Sequence, residues 1–239
     1  MAINIDTVYK TVLSILNKEQ RGYITPNEFN KVAAQVQLEI FNKYFEDLNQ
    51  LTRTVQTDID YASRIDLLDE RLAIFKTSGA LTGGTGGVFS TPSNLSELGS
   101  VIYNDIELQR VQRGEIYNLN KSDYTRPSNS YPIYLYEDNK IRVYPTTIIS
   151  GVSINYLRKP LDPVWGFVVG GRGQYVYDPG LYNPTLTPTT GSRNFELHES
   201  EQTNLIIKIL IYAGIIIKDP QIVQAAAQQA QSEEVNSKS

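Results

Sequence analysis

The chain has 239 residues, 41% of them hydrophobic, with 22 Lys and Arg against 26 Asp and Glu and a formal net charge of -4. That is enough apolar material for one sizeable domain or two small ones, and the scatter of the basic residues argues against a dedicated nucleic-acid binder, which clusters Lys and Arg against phosphates. The absence of cysteine excludes disulfide staples, thiolate metal sites and thiol nucleophiles together, and it suits assembly in a reducing compartment.

In chain order, Asp6 is placed to cap a first helix, whose apolar positions Val8, Val12 and Ile15 recur on one face. The turn at Arg21-Gly22 stops it. Thr25-Pro26-Asn27-Glu28 then reads as a capping box with proline at the first helical position. It opens a long helix whose stripe, Phe29, Val32, Val36, Ile40, Tyr44 and Leu48, predicts an end close to Leu51. A third stripe, Tyr61, Ile65, Leu68, Leu72 and Phe75, has the spacing of a bundle seam.

At Ser78 the composition changes. Gly79 and Gly83 to Gly87 cannot hold a helix, which predicts a hinge or surface loop and a boundary. Short β-branched and aromatic segments follow to about Tyr156. Residues 133–136 and 140–144 pair as a hairpin across Asp138-Asn139, Pro145 ends the second strand, and residues 152–156 alternate as a third in the same small sheet. Residues 165–193, rich in Gly, Pro, Tyr and Thr, read as an extended loop or a protruding hairpin.

Helix returns over residues 196–217, with Leu205, Ile209, Tyr212 and Ile216 on one stripe and Ile206, Leu210, Ala213 and Ile217 beside it. So wide an apolar face implies burial on two sides. This apolar run is interrupted by Lys208 and falls short of the ~20 residues of a membrane span. The first residues lack the basic region of a signal peptide, so a soluble protein is expected. Asp219-Pro220 restarts a last helix, and the polar tail beyond is expected to be disordered unless a partner holds it.

The expected fold class is α+β: a helical bundle made by the N- and C-terminal segments, residues 1–79 and 195–231, with a β-rich insertion over residues 80–194 and a flexible tail over residues 232–239.

No motif in the sequence builds a catalytic or cofactor site. Residues 17–29 look like a helix-loop-helix calcium loop with Gly22, Ile24 and Glu28 in register. However, Asn17, Glu19 and Arg21 occupy positions where oxygen ligands belong, and Glu28 reads as a cap. The glycine clusters at Gly83–Gly87 and Gly170-Gly171-Arg172-Gly173 lack the Lys-Ser or Lys-Thr of a phosphate loop. His198, the single histidine, has no nucleophile or metal partner in its pattern. Asp58, Asp60, Asp66, Asp69 and Glu70 alternate with Arg64 and Arg71 as a solvated helical face. Hence no catalytic residue, cofactor or metal is expected.

Tyrosine is the feature in excess, with 16 residues. It offers large contact area with a polar handle, so it concentrates where protein surfaces meet. Tyr134, Tyr136, Tyr144 and Tyr156 read equally well as cross-strand packing. Tyr175, Tyr177 and Tyr182, in loop context, are the better interface candidates.

Residues 8–45, with Lys18-Glu19-Gln20-Arg21-Gly22-Tyr23-Ile24-Thr25-Pro26 and Glu28-Phe29-Asn30, resemble the start of structural proteins from tailed bacteriophages. Val143-Tyr144-Pro145, Tyr156-Leu157-Arg158-Lys159-Pro160 and Ile209-Leu210-Ile211-Tyr212-Ala213-Gly214-Ile215 extend the likeness over nearly the whole chain. The chain is thereby similar to head-to-tail adaptors of short-tailed phages, the tail tubular protein A class, and most of all to the ring proteins of crAss-like phages.

The resemblance implies a twelve-membered ring in the virion, beneath the portal, assembled in the host cytoplasm. Such a ring continues the DNA channel without sequence-specific contact, serves genome ejection and has no membrane partner. It implies portal docking through the C-terminal segment (Ile222, Val223, Gln228 and Gln229), subunit contacts through Leu205, Ile209, Tyr212 and Ile216, and contact with the next tail protein through Tyr175, Tyr177 and Tyr182. A tail-associated glycan- or cell-wall-degrading protein, or another tail layer, is the alternative. The former would need paired carboxylates, and no such pair stands out.

Overall fold

Thr25 fixes where the longest helix begins. Its hydroxyl and its backbone N–H donate to Glu28 Oε2 at 2.7 and 2.9 Å, and the Glu28 N–H donates back to Thr25 Oγ1 at 3.4 Å. In the computed structural model, which describes residues 2–18, 23–53, 59–185, 191–216 and 228, this capping box opens α2, Pro26–Arg53. The preceding helix α1, Ile5–Lys18, is capped differently from the expectation: Asn4 Oδ1 accepts the Thr7 N–H at 3.0 Å. Ile3 bridges to Phe195, which holds the chain extended up to Asn4, so Asp6 falls inside the first turn and its carboxylate is free for other partners.

The fold is mixed α+β. It divides into two compact units, with the divisions between Ile74 and Phe75 and between Lys159 and Pro160. Residues 160–194, read from sequence as part of the β-rich insertion, therefore belong with the helices.

In the first unit α5, Gln202–Ile216, packs on α1 and α2, and α3, Ile59–Ala73, packs on α2. The apolar stripes meet largely as their spacing requires: Val8 and Val12 of α1, Phe29, Val36 and Ile40 of α2, and Leu205, Ile209 and Ala213 of α5 are buried, but in α1 it is Leu16 that completes the buried face, and Ile15, expected on it, is 38% exposed. Leu68 and Leu72 of α3 are buried as well, while the side chains of Tyr61 and Ile65 lie outside the described residues. His198 caps the 3-10 turn at Glu199–Glu201, its Nδ1 accepting the Ser200 N–H at 3.3 Å.

The second unit has two sheets. The strands are β1 (Lys76–Ala80), β2 (Thr82–Gly83), β3 (Val88–Ser90), β4 (Leu95–Tyr103), β5 (Ile106–Glu107), β6 (Gln109–Arg110), β7 (Ile133–Glu137), β8 (Lys140–Tyr144) and β9 (Val152–Arg158), with α4 (Arg113–Leu119) between β6 and β7. One sheet runs β2-β3-β8-β7-β6, the other β1-β9-β4-β5. Asp138 and Asn139 both have positive φ, 53° and 52°, the two-residue turn that matches strand twist and closes the β7–β8 hairpin as expected. Asn104 and Asp105, φ 46° and 62°, do the same between β4 and β5, a turn the sequence reading missed.

β8 and β9, expected in one small sheet, belong to different sheets. Ile141 and Val143 of one meet Val101, Ile154 and Tyr156 of the other in a shared core. Ile133, Tyr134 and Leu135 of β7 are all buried because this part of the strand is covered on both faces: Tyr134 joins this core, while Ile133 and Leu135 pack with Ile116 of α4 and Val111 on the opposite side.

The glycine run 83–87 is no hinge. A Cβ on Gly84, whose φ is +110°, would stand 1.8 Å from the Ile149 carbonyl oxygen, so the turn is pressed against backbone that only glycine admits.

Candidate interaction surface

Residues 160–195 attach to the first unit through side-chain amides. On α2, Asn30 and Gln37 lie two turns apart on one face. Asn30 Oδ1 accepts the Trp165 N–H at 2.8 Å and its Nδ2 donates to the Trp165 carbonyl at 3.2 Å. Gln37, 1% exposed, donates to the Leu161 carbonyl at 2.8 Å and accepts the Glu196 N–H at 2.9 Å. Two amides thus stand in for a neighbouring strand, meeting backbone groups that burial would otherwise leave unpaired.

Trp165 is the anchor. It is 4% exposed, its indole N–H donates to Asp6 Oδ1 at 3.1 Å, and its ring lies 4.3 Å from that of Tyr9, which in turn is 4.8 Å from Phe29. Burial, with the Tyr23 hydrogen bond second, pushes the Tyr9 hydroxyl well above the usual tyrosine range. From Trp165 the aromatic contacts run outward to Phe167 at 6.1 Å and Tyr177 at 5.6 Å, and from Phe167 to Tyr175 at 4.9 Å.

These last residues form a two-stranded hairpin, β10 (Phe167–Val169) with β11 (Tyr175–Tyr177), in register Phe167↔Tyr177, Val168↔Val176 and Val169↔Tyr175. The second glycine cluster is its turn: Gly170 N–H donates to the Gln174 carbonyl and Gly173 N–H to the Gly170 carbonyl, both at 2.8 Å. Below the hairpin, Asp178 accepts the Gly180 and Gly191 N–H groups at 3.0 and 2.8 Å. Gly191, at φ +83°, would place a Cβ 2.2 Å from the Leu181 oxygen.

Alternation puts Val168 and Val176 on one face of the ribbon and Val169 and Tyr175 on the other. Both faces are apolar, and Val168, Val169 and Val176 are 56, 58 and 49% exposed. An isolated two-stranded ribbon of this length is marginal in water. Here its base is fixed by buried aromatics while its tip presents aliphatic surface to solvent.

Of the three tyrosines expected to contact the next tail protein, Tyr175 is exposed at 41%. Tyr177 is half-buried against Trp165, and Tyr182 is half-buried beneath the Arg193 guanidinium, 4.4 Å from its ring centroid. The exposed valines were missed; the two short apolar β-forming runs Phe167-Val168-Val169 and Tyr175-Val176-Tyr177 on either side of a glycine turn were the available signal.

The expected subunit-contact stripe needs correction. Leu205 and Ile209 are 0% exposed. They fill the core of their own unit and offer nothing to a neighbour. Tyr212 is committed to α2, its hydroxyl donating to Glu39 Oε2 at 3.2 Å beside the Lys208–Glu39 ion pair. Burial first, then Glu39, raises its pKa. Among the described aliphatic side chains of α5, Ile206, Leu210 and Ile211 are partly exposed. Gln228 is exposed, whereas the Ile216 side chain and Ile222, Val223 and Gln229 lie outside the described residues.

The second unit carries an open groove of about 630 Å³ across β1, β9 and β4, lined by residues that include Ser78, Glu97, Leu98, Gly99, Ser100 and Tyr156. Register shifts between Leu95 and Glu97 and between Leu98 and Val101 bend β4 here. Gly99 lets β4 approach β9, since a Cβ there would sit 2.8 Å from the Asn155 oxygen.

Among the described residues, no helix is long and apolar enough to cross a membrane and no group of three or more His, Asp or Glu could hold a metal. No protein-family model matches the chain, and no curated protein matches it.

Proposed function

We propose that the chain is a structural virion protein, a head-to-tail connector whose copies close into a ring that joins the portal to the tail and extends the DNA channel. In this reading the helices of the first unit form a bundle, the second unit is a β-rich insertion, and the protein works through its surfaces rather than through a reaction. The observation that carries it is the hairpin tip: aliphatic on both faces, exposed, and held by a buried aromatic anchor. A rigidly presented apolar patch of this kind marks a surface that a partner covers.

Identical subunits with complementary, non-identical surfaces make head-to-tail contacts, which close into a ring when the rotation permits. The described groove lining supplies a single carboxylate, Glu97, where glycan hydrolysis uses two. This favours the connector over a glycan-degrading tail protein.

The reading places the particle at the portal–tail junction of the virion, with portal, next tail protein and passing DNA as its partners. Electron microscopy of the purified protein, alone and mixed with its portal, tests it. Closed rings, twelve-membered by the resemblance, are expected, and a monomer in both samples contradicts it.

A further inference from the structure

The β10–β11 ribbon has two open edges. Gly170 N–H donates to the Gln174 carbonyl at 2.8 Å and Asp178 N–H to the Gly166 carbonyl at 2.9 Å, so by alternation Val168 and Val176 turn their backbone groups toward each other. The N–H and C=O of Phe167 and Val169 on one edge, and of Tyr175 and Tyr177 on the other, point away and meet no further backbone group among the described residues. Neither strand contains a charge or a glycine. The outer strands of the other two sheets each contain one or the other: Lys76 in β1, Gly83 in β2, Glu107 in β5 and Arg110 in β6. Where β4 and β7 outrun their short neighbours they hold Glu97 and Glu137. Such residues on an edge discourage further pairing, and only the ribbon lacks them on both sides.

We propose that the ribbons of neighbouring copies pair edge to edge, β11 of one copy against β10 of the next, with Tyr177 opposite Phe167 and Tyr175 opposite Val169. The pairing rests on the ring reading and deepens it, because it names the contact that links the subunits. A second copy is the occupant because the two unguarded edges of this chain fit one another. They run in opposite directions, so a copy rotated about an axis lying along the strands brings its β10 antiparallel to the first copy's β11 and leaves its own β11 open for the next. In this register every outward group on both edges is used, whereas a slip of two residues leaves half of them unpaired. The side chains brought side by side are apolar or aromatic pairs. A ribbon that is marginal alone thereby joins a larger sheet. An open row keeps two unguarded edges however long it grows, and closure around an axis removes them.

The chain has no cysteine, so engineered thiols report without background. In this pairing Val176 faces Val168 of the next copy as a narrow pair, its Cα atoms about 4.5 Å apart, within reach of a disulfide. Val168→Cys mixed with Val176→Cys under mild oxidation should give linked dimers holding one of each, and neither variant alone should link. Val169→Pro removes an outward N–H but no hydrogen bond inside the ribbon, so it should weaken self-association in sedimentation about tenfold or more. Val169→Lys sets a charge on the same edge and should act alike. The emission of Trp165, the single tryptophan and the ribbon's anchor, should stay unchanged in both, which separates lost pairing from a lost fold.

Rings that form while the mixed cysteines stay unlinked and the Val169 variants associate like the unsubstituted chain would overturn the pairing and leave the ring reading standing. Open filaments linked through the two cysteines, never closing, would uphold the pairing and overturn the ring. Linkage within Val168→Cys alone or Val176→Cys alone would show a symmetric contact between like strands and overturn the proposal.

Discussion

Arg71 Nη1 lies 2.7 Å from Glu201 Oε1, an ion pair that ties the last turn of α3 to the turn preceding α5. Glu201 is 7% exposed, its other oxygen accepts from Asn204 Nδ2 at 3.1 Å, and the Arg71 guanidinium also approaches the Tyr44 ring, 6.0 Å from its centroid. Replacing Arg71 with Met strands a carboxylate that has little water to turn to. A loss of about 1–3 kcal/mol is expected, less than for a wholly enclosed pair because Arg71 keeps some solvent contact. Urea unfolding of Arg71→Met, Glu201→Gln and the double variant would give the coupling directly.

The amides of α2 give a second expectation. Asn30→Ala and Gln37→Ala each remove two hydrogen bonds to backbone of residues 161–196. Each should cost about 1–3 kcal/mol, with Gln37 the greater because its site is drier. Hydrogen exchange should show the Trp165 and Glu196 amides losing protection before those of α1.

Tyr9 sets an alkaline limit. Its pKa is raised on folding, chiefly by burial, so between the ordinary tyrosine value and the folded one the native state holds a proton that the unfolded chain has released. Stability contributed by this group is complete below pH ~10 and falls as pH rises beyond it. Tyr9→Phe should flatten the decline in denaturation midpoint above pH ~10. It should also cost about 0.5–1.5 kcal/mol at neutral pH through the lost bond to the Ile24 carbonyl.

Anchor and tip of the hairpin should separate cleanly. Trp165→Ala removes a buried ring and should destabilise the first unit by about 3–5 kcal/mol. Val168→Ser with Val176→Ser alters exposed side chains and should change monomer stability by no more than about 0.5 kcal/mol, while reducing association measured by sedimentation.

The parts of this fold governed by local chemistry were open to sequence reading. The Thr25–Glu28 box, the Val8–Val12 part of the α1 stripe, the Phe29–Tyr44 part of the α2 stripe, the Leu205–Ile209 part of the α5 stripe and the Asp138-Asn139 turn each depend on neighbours within a few residues, and each formed. What escaped depends on distant partners. β1, with the sequence Lys-Thr-Ser-Gly-Ala, lacks the β-branched alternation of a strand and is one because β9 pairs with it.

Residues 160–195 join the helical unit through Asn30, Gln37 and Trp165, and single amides and a lone indole leave no periodic trace. The Leu205–Ile209 stripe was legible as apolar. Which surface covers it was not, because the same spacing serves a core and a subunit contact alike. At the hairpin the sequence directed attention to tyrosines. The structure spends Tyr177 and Tyr182 on internal contacts and leaves the valines outward.

The central claim, that copies of this chain close around an axis, is tested most directly by imaging the purified protein with its portal by electron microscopy and counting subunits in class averages. Closed rings of uniform size seated on the portal are the predicted result. Single particles of one-subunit mass, unchanged by the portal, would contradict it.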